Sequence, residues 1–180
     1  LCDLIRKKYA IKNVTGLTIL PFVEYTDPFD IIAHLMVGSE GTLAFLSSIT
    51  MTTGEIQPYS ASALLLFPTT KAACEAITEM KQTGLLSAAE FFDRKAMRTV
   101  ENDFPELKGL PEDAGAALIR TDALTDKELE EKNKTLQDLL RHYELCQPAA
   151  FTSDPMLTDK YWAMRSGIFP AVGGTREIGT

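Results

Sequence analysis

The feature that most constrains the fold is a regular alternation of strand-like and helix-like segments after residue 58. Four short apolar segments have the length and composition of strands. They span residues 61–67, 87–92, 116–121 and 147–152. Strands that alternate with helices over so short a stretch are typical of a two-layer α+β domain.

Helices are predicted between these segments, most of them from their capping residues. Thr69 or Thr70 begins a helix that ends at Gly84, and a short helix covers residues 93–101. A last helix starts with a cap residue followed by proline and covers residues 155–168.

The long helix after the third strand has the clearest start signal. Thr-Asp-Lys-Glu at 125–128 matches a capping box, in which Glu128 accepts a hydrogen bond from the amide of the cap residue Thr125. The order is then β-α-β-α-β-α-β. It predicts a ferredoxin-like antiparallel sheet with helices on one face. This fold hosts many functions and by itself names none.

A glycine turn precedes the alternating region. Asp27 followed by proline predicts a helix over 28–36, and β-branched and aromatic residues predict a strand over 43–52. Between them, Gly38 and Gly41 bracket two polar residues. Such a pair either makes an ordinary turn or lets the backbone approach a flat partner closely.

Charge and cysteine usage exclude several function classes. The net charge is −7 and the densest basic cluster, residues 6–8, is three residues long, so nucleic acid is not an expected partner. The 3 cysteines are far apart and the 2 histidines are isolated, which indicates no metal site and no disulfide framework. A reducing, cytoplasmic setting fits this usage.

Two arginines are the strongest polar candidates for ligand binding. Arg165 lies three residues after Trp162 on the last predicted helix, and Arg176 follows the glycine pair at 173–174. Two guanidinium groups near a glycine loop can hold a carboxylate through paired hydrogen bonds. The alternative, that both form surface ion pairs, stays open at this point. No nucleophile–base pair is readable from the sequence.

Two motifs, in this order and close together, resemble the FAD-linked oxidases of the vanillyl-alcohol-oxidase type. They are KNVTG at 12–16 and DPFDIIAHLMVGSEGTL at 27–43. The chain is most similar to the branch of D-lactate, glycolate and D-2-hydroxyglutarate dehydrogenases. The Asp-Pro segment resembles that of large members fused to an iron–sulfur module. A weaker likeness continues through EFFD at 90–93 to YWAMRSGIFP at 161–170.

The resemblance implies a cofactor, a substrate and site residues. FAD is the cofactor, and the residues expected to bind it are Asn13, Gly16, Gly38, Ser39, Glu40, Gly41 and Thr42. Arg165 is expected to hold the carboxylate of a small D-2-hydroxy acid, with Arg176 as a second cation. The electron acceptor is expected to be an iron–sulfur module or a quinone.

The resemblance also implies that the chain is an internal fragment of a dehydrogenase of the cytoplasm or the inner face of its membrane. Residues 1–57 match the C-terminal part of the FAD-binding domain, and residues 58–180 match the N-terminal part of the substrate (cap) domain. The catalytic and metal-binding histidines of the family lie outside the chain. The isolated chain is therefore expected to be inactive, to bind flavin weakly at best, and to self-associate through exposed apolar surface.

Two alternatives remain open at this stage. One is a flavoenzyme of a sister branch with a non-hydroxy-acid substrate, such as an aldonolactone or an ether-lipid precursor. The other is a non-enzymatic ferredoxin-like module for ligand binding or interaction, in which the glycine stretch is only a turn.

Overall fold

The computed structural model describes residues 1–11 and 16–174. The chain forms two compact units, Leu1–Gly54 and Glu55–Thr180. The helices described in the first unit are α1 (Cys2–Tyr9), α2 (Pro21–Glu24) and α3 (Pro28–Met36). The elements described in the second are β1 (Tyr59–Phe67), α4 (Thr70–Gln82), β2 (Ala88–Asp93), α5 (Arg94–Arg98), a 3₁₀ turn (Pro105–Leu107), β3 (Gly115–Ala123), α6 (Asp126–Leu140) and α7 (Pro155–Gly174).

Helix α3 of the first unit begins where its capping residue predicts. The Asp27 carboxylate accepts hydrogen bonds from the N–H groups of Phe29 and Asp30, at 2.8 and 3.3 Å. Pro28 follows at the first helical position, where its missing N–H costs nothing. The predicted helix over 28–36 is therefore confirmed.

The strand predicted over 43–52 is wrong. Residues 44–57 have no regular structure, and every residue from 40 to 59 is exposed. A strand needs a neighbouring strand for its backbone N–H and C=O groups and a face to bury. Within the described residues this segment has neither.

The second unit is built on an antiparallel sheet, whose described strands lie in the order β1-β3-β2. The central strand β3 pairs with both neighbours, so that Leu118 lies opposite Leu64 on one side and Glu90 on the other. This is the split βαβ arrangement that the alternation predicts. The predicted strands over 61–67, 87–92 and 116–121 are confirmed with small shifts of their ends.

The fourth predicted strand, over 147–152, is reduced to a single bridge. Thr152 pairs with Ser62 through two backbone hydrogen bonds of 2.9 Å at the outer edge of β1. The preceding segment meets β1 once more, where the Cys146 N–H donates to the Leu66 carbonyl at 2.7 Å. The segment therefore runs beside β1 without forming a continuous ladder.

Both faces of the sheet are covered, whereas the predicted arrangement placed helices on one face. Helices α4 and α6 bury the first core cluster, which includes Leu65, Phe67, Met80, Ile119 and Leu136. The opposite face carries the second cluster, with residues from α5, the 3₁₀ turn and α7. Its members include Leu66, Met97, Leu107, Leu118 and Met164. Because β1 and β3 contribute to both clusters, their side chains are buried on both sides.

Capping residues fix the helices of this unit at the positions expected from the sequence. Thr69 caps α4, and Asp93 caps α5 by accepting from the Ala96 N–H at 2.7 Å. Thr125 caps α6 by accepting from the Glu128 N–H at 3.2 Å. The second hydrogen bond of this capping box differs from the prediction. Glu128 accepts from the N–H of Leu124, one residue before Thr125, at 3.0 Å.

Helix α7 is longer than predicted and is anchored to the sheet. It runs to Gly174 instead of ending near Ile168. The Trp162 indole N–H donates to the Ser62 hydroxyl of β1 at 3.1 Å, and Met164 is fully buried. These contacts hold the middle of α7 against the sheet. Within the described residues, no helix combines the length and apolar character that crossing a membrane would require.

Candidate functional site

A groove of about 390 Å³ lies in the second unit between the edge strand β2 and helices α5 and α7. The residues that line it are Glu90, Phe91, Phe92, Asp93, Ala96, Arg165, Ile168, Phe169 and Val172. β2 has no partner on its outer side among the described strands. This edge strand can therefore form one wall of the groove, opposite a helix.

Arg165 brings a positive charge into this groove. Its Nη2 atom lies 3.2 Å from Oε1 of Glu90 on β2, and the two side chains are 49% and 35% exposed. An ion pair with this much exposure is worth about 0–1 kcal/mol, because water screens it. The contact engages one terminal nitrogen of a group with five N–H donors, so Arg165 has capacity for a further acceptor.

The remainder of the lining is mostly apolar and aromatic. Phe92 and Ile168 are buried in the groove, and Phe169 is 86% exposed beside it. Phe91 also lines the groove, but its ring lies on the α4 side of the sheet, near Gly115 and Ala73. A concave apolar surface with a few convergent polar groups is typical of small-molecule sites. The arrangement can hold an organic acid by its carboxylate and cover its carbon chain.

A second carboxylate, that of Asp93, also lines the groove. One of its oxygens accepts from the Ala96 N–H at the start of α5. This bond fixes the side chain at the junction of β2 and α5. The described lining residues therefore include one guanidinium and two carboxylates.

Arg94, next to Asp93, is buried away from the lining. Its Nη2 lies 2.9 Å from Oε2 of Glu101, and its Nε and Nη1 atoms have no hydrogen-bond partner among the described residues. Burying a guanidinium is costly unless a carboxylate compensates it, so Glu101 is essential to this position. The pair ties α5 to the turn that follows it.

The glycine motif of the first unit forms a tight left-handed turn. Gly38 (φ +81°), Glu40 (φ +51°) and Gly41 (φ +76°) all have positive φ. Ser39 is buried, and its carbonyl accepts from both the N–H and the hydroxyl of Thr42, at 2.9 and 2.6 Å. Glycine suits positions 38 and 41 because both have a positive φ, a backbone conformation that other residues rarely adopt.

The structure brings Gly16 beside this turn. A Cβ atom added to Gly38 would lie 3.5 Å from the Gly16 carbonyl oxygen, and Cβ atoms added to Gly16 or Gly41 would meet only open space. Gly16 and the turn at 38–41 therefore lie together and present backbone that carries no side chain. Such a surface fits the edge of a flat group such as the isoalloxazine of FAD, which side chains would hold away.

Two of the expected site residues, Asn13 and Arg176, lie outside the described residues. Arg165 and the two glycine motifs fall in separate units, each with its own geometry. Within residues 1–11 and 16–174, no three His, Cys, Asp or Glu side chains cluster in a way that could hold a metal ion.

A second groove, of about 410 Å³, lies between α4 and the end of α6. The Tyr143 hydroxyl donates to Oε2 of Glu79 at 2.7 Å, and this bond raises the pKa of Tyr143 to about 12. Glu75 and Cys74 also line the groove. Its acidic lining does not fit an organic acid, so the groove beside Arg165 is the better candidate.

Sequence reasoning did not identify Glu90 as the partner of Arg165. Its signal is a charged residue between small and aromatic residues, in AAEFFD at 88–93. A lone carboxylate on a strand can simply face solvent, and only the packing of α7 against the sheet shows that an arginine meets it.

Comparison with known proteins identifies the family. The family model for FAD linked oxidases, C-terminal domain, matches residues 56–179. Two solved structures of alkyldihydroxyacetonephosphate synthase share the fold. The first has TM-score 0.58 and 15% identity over 82% of this chain, and the second has TM-score 0.55 and 17% identity over 83%. This chain spans 29% of the length of each. No curated protein matches it. The chain belongs to the FAD linked oxidases.

Proposed function

We propose that this chain is part of an FAD-dependent oxidoreductase that oxidises a D-2-hydroxy acid to the 2-oxo acid, and that Arg165 binds the carboxylate of the substrate. Family membership supports the redox chemistry. The coverage of 29% of each solved relative supports a longer enzyme. We propose an iron–sulfur module or a quinone as its electron acceptor.

The observation that carries the substrate class is the position of Arg165. Its guanidinium is half exposed in a groove whose other walls are mainly apolar. A planar guanidinium binds a carboxylate through two parallel hydrogen bonds, which fixes the orientation of the acid as well as its affinity. Orientation of this kind contributes to catalysis by holding the reacting carbon in place.

The paired glycine motifs support the cofactor. The left-handed turn at 38–41 and the bare backbone at Gly16 would hold one edge of FAD. When bound, FAD supplies the acceptor for the hydride that leaves the hydroxyl-bearing carbon. The residues of this chain contribute backbone contacts to the cofactor and the charge that orients the substrate.

Two other functions would account for parts of these observations. A sister branch of the family, with a different substrate, would keep the glycine turn and have no need of an arginine for a hydroxy acid. The alkyldihydroxyacetonephosphate synthases that share the fold have a name indicating such a substrate. A non-enzymatic ferredoxin-like module would bind no flavin at any length of chain.

The cofactor is tested by visible absorbance. This chain and a version extended by the coding sequence on either side are purified, and their flavin spectra are compared. A yellow extended protein beside a colourless chain is the expected result. Colourless preparations of both, with no uptake of added FAD, would leave only the non-enzymatic module.

The role of Arg165 is tested in the extended protein. Arg165→Met should raise KM for the hydroxy acid roughly 10- to 100-fold, which corresponds to the loss of hydrogen bonds to a charged group. Arg165→Lys should recover only part of the loss, because lysine keeps the charge without the planar fork. Arg141→Met is the matched control, since Arg141 is exposed at the end of α6 and pairs with Asp138. Equal KM values for all variants would place the substrate elsewhere.

A further inference from the structure

We infer that Ser62 is a positioning residue for Arg165, because its hydroxyl fixes the place of helix α7 on the sheet. This inference rests on the proposed function, in which Arg165 binds the carboxylate of the substrate. Ser62 belongs to β1 and acts through Trp162, which lies about one helical turn before Arg165 on α7.

Ser62 holds the chain at two points, one before α7 and one within it. Its backbone N–H and C=O groups each form a 2.9 Å hydrogen bond with Thr152, shortly before α7 begins at Pro155. Its hydroxyl accepts the Trp162 indole N–H at 3.1 Å. A helix rises about 1.5 Å per residue, so Pro155 and Trp162 are about 10 Å apart along the helix axis. Two attachments at this separation fix both the position of α7 along its axis and its rotation about that axis.

The alternation of side chains along β1 explains why Ser62 meets α7. Leu64 and Leu66 pack in the second core cluster, on the face of the sheet that α7 covers. Successive side chains of a strand point to opposite faces, so Ser62 shares this face, and it is 1% exposed there. An indole ring that packs on apolar surface still carries an N–H donor, which usually finds a partner when it is buried. Within the mostly apolar run 61–67, Ser62 supplies that partner.

Other contacts of α7 tolerate small shifts of the helix. Met164 is fully buried, but apolar packing has no preferred direction and methionine is flexible. Lys160 pairs with Glu106 at 2.8 Å through a long side chain that stays 41% exposed. A hydrogen bond, in contrast, weakens steeply away from its best geometry. Among these contacts, the bond from Trp162 to Ser62 therefore selects one position of α7.

The position of α7 decides where the Arg165 guanidinium lies. Trp162 and Arg165 are three residues apart, which makes them neighbours on the helix surface. The contact of Arg165 with Glu90 is partly exposed and weak, so it does not hold the guanidinium against a movement of the helix. A displacement of about 1 Å at a group that orients the substrate can lower a rate about 100-fold. Loss of the Ser62 hydroxyl should therefore disturb the reaction more than the binding of the acid.

The kinetic test is a double-mutant cycle in the extended, flavin-containing protein, with D-2-hydroxypentanoate as substrate and rates given per bound flavin. Ser62→Ala should lower kcat about tenfold and change KM less than about threefold, because Arg165 still binds the carboxylate but orients it poorly. In the Arg165→Met background, Ser62→Ala should change kcat/KM less than about twofold. An equal loss in both backgrounds would show an effect independent of Arg165 and would overturn the inference.

Two further variants sharpen this cycle. Ser60→Ala is the matched control, because Ser60 is a half-buried serine of the same strand, two residues before Ser62. It should leave kcat and KM unchanged. Trp162→Phe removes the same hydrogen bond from the other side and keeps an aromatic ring. It should lower kcat at least as much as Ser62→Ala does, and a wild-type kcat in this variant would contradict the inference.

Tryptophan fluorescence separates failure of this inference from failure of the proposed function. Trp162 is the single tryptophan of the 180-residue chain, so its emission reports the contact with Ser62 without any substrate. Ser62→Ala should shift the emission to longer wavelength, because the indole N–H then turns to water. If this shift occurs and the wild-type extended protein oxidises no 2-hydroxy acid, the proposed function is wrong although Ser62 holds α7. An unchanged emission would show that Ser62 does not hold α7, and the inference would be wrong.

Discussion

The two units of this chain use apolar residues in opposite ways. In the second unit, residues such as Leu65, Leu118 and Leu136 are buried on the two faces of a sheet. In the first unit, Phe45 is 90% exposed and Ile49 is 67% exposed, within a segment that is exposed throughout. Both regions are rich in residues with high strand propensity. Within the described residues, only the second unit packs them against other elements.

High strand propensity shows that a segment can join a sheet. It produces a strand only where a neighbouring strand is available for pairing. The second unit has its own central strand, β3, on which both edge strands pair. The segment after the glycine turn has no such template within the described residues. A run of exposed apolar residues marks a surface for another chain or segment. We expect the isolated chain to self-associate through residues 43–56.

The largest effect should come from truncating the same residue type in the two regions. Leu118 of β3 is fully buried, whereas Leu46 is 53% exposed. Leu118→Ala should lower the free energy of unfolding by about 2–5 kcal/mol, since it removes buried area and leaves a cavity. Leu46→Ala should change it by less than about 0.5 kcal/mol. Urea unfolding of the 180-residue chain, followed by circular dichroism, measures both. Similar losses for the two variants would contradict the comparison.

A smaller effect is expected from adding a methyl group in each region. A Cβ atom at Gly115, the first residue of β3, would lie 2.8 Å from Ala73 Cβ and 3.2 Å from Phe91 Cε2. Gly115→Ala should therefore cost about 1–3 kcal/mol, the usual range for overpacking. Gly54→Ala is the control, because an added Cβ there meets nothing within 4 Å. The same unfolding curves show whether the sheet has the tight packing described.

The smallest effect concerns the capping box of α6 and depends on pH. The pKa of the Glu128 carboxyl lies below its ordinary value, first because of its hydrogen bond to Lys132 and then because of the Leu124 N–H. A carboxyl whose pKa is lowered on folding stabilises the fold above its unfolded pKa of about 4.5, and the stabilisation disappears as the pH falls through the folded value. Glu128→Gln should therefore destabilise the chain at about pH 7 and do so less at about pH 3.

The control for this pH dependence is the other half of the same box. Thr125 has no titratable group, and its hydroxyl caps α6 at 3.2 Å from the Glu128 nitrogen. Thr125→Ala should cost about 1 kcal/mol at both pH values. An effect of Glu128→Gln that stays constant between the two pH values would show that the carboxylate charge does not stabilise the helix.

Local signals in the sequence were sufficient for the starts of the capped helices and for the core strands. Asp27, Thr69 and Thr125 cap helices at their predicted positions because a cap depends on the few residues that follow it. The strand over 43–52 and the fourth strand over 147–152 could not be settled in this way. Each depends on whether another segment lies beside it, which is a property of the whole fold.

The candidate site was predictable only in part. The positive φ of Gly38 and Gly41 follows from the residue type, and the approach of Gly16 does not, because it joins separate segments. Arg165 was identified from its motif, while Glu90 became visible only through the packing of α7 against the edge strand β2. Charge partners across a groove are tertiary contacts, and no periodicity or spacing encodes them.

The most direct test of the account is an anaerobic titration of the extended protein with D-2-hydroxypentanoate, followed at the flavin absorbance. The account predicts that the yellow colour bleaches with the D acid and persists with the L acid. Dithionite provides the control, because it reduces an accessible flavin without a substrate site. A protein that dithionite bleaches and that no 2-hydroxy acid bleaches would contradict the proposed substrate class.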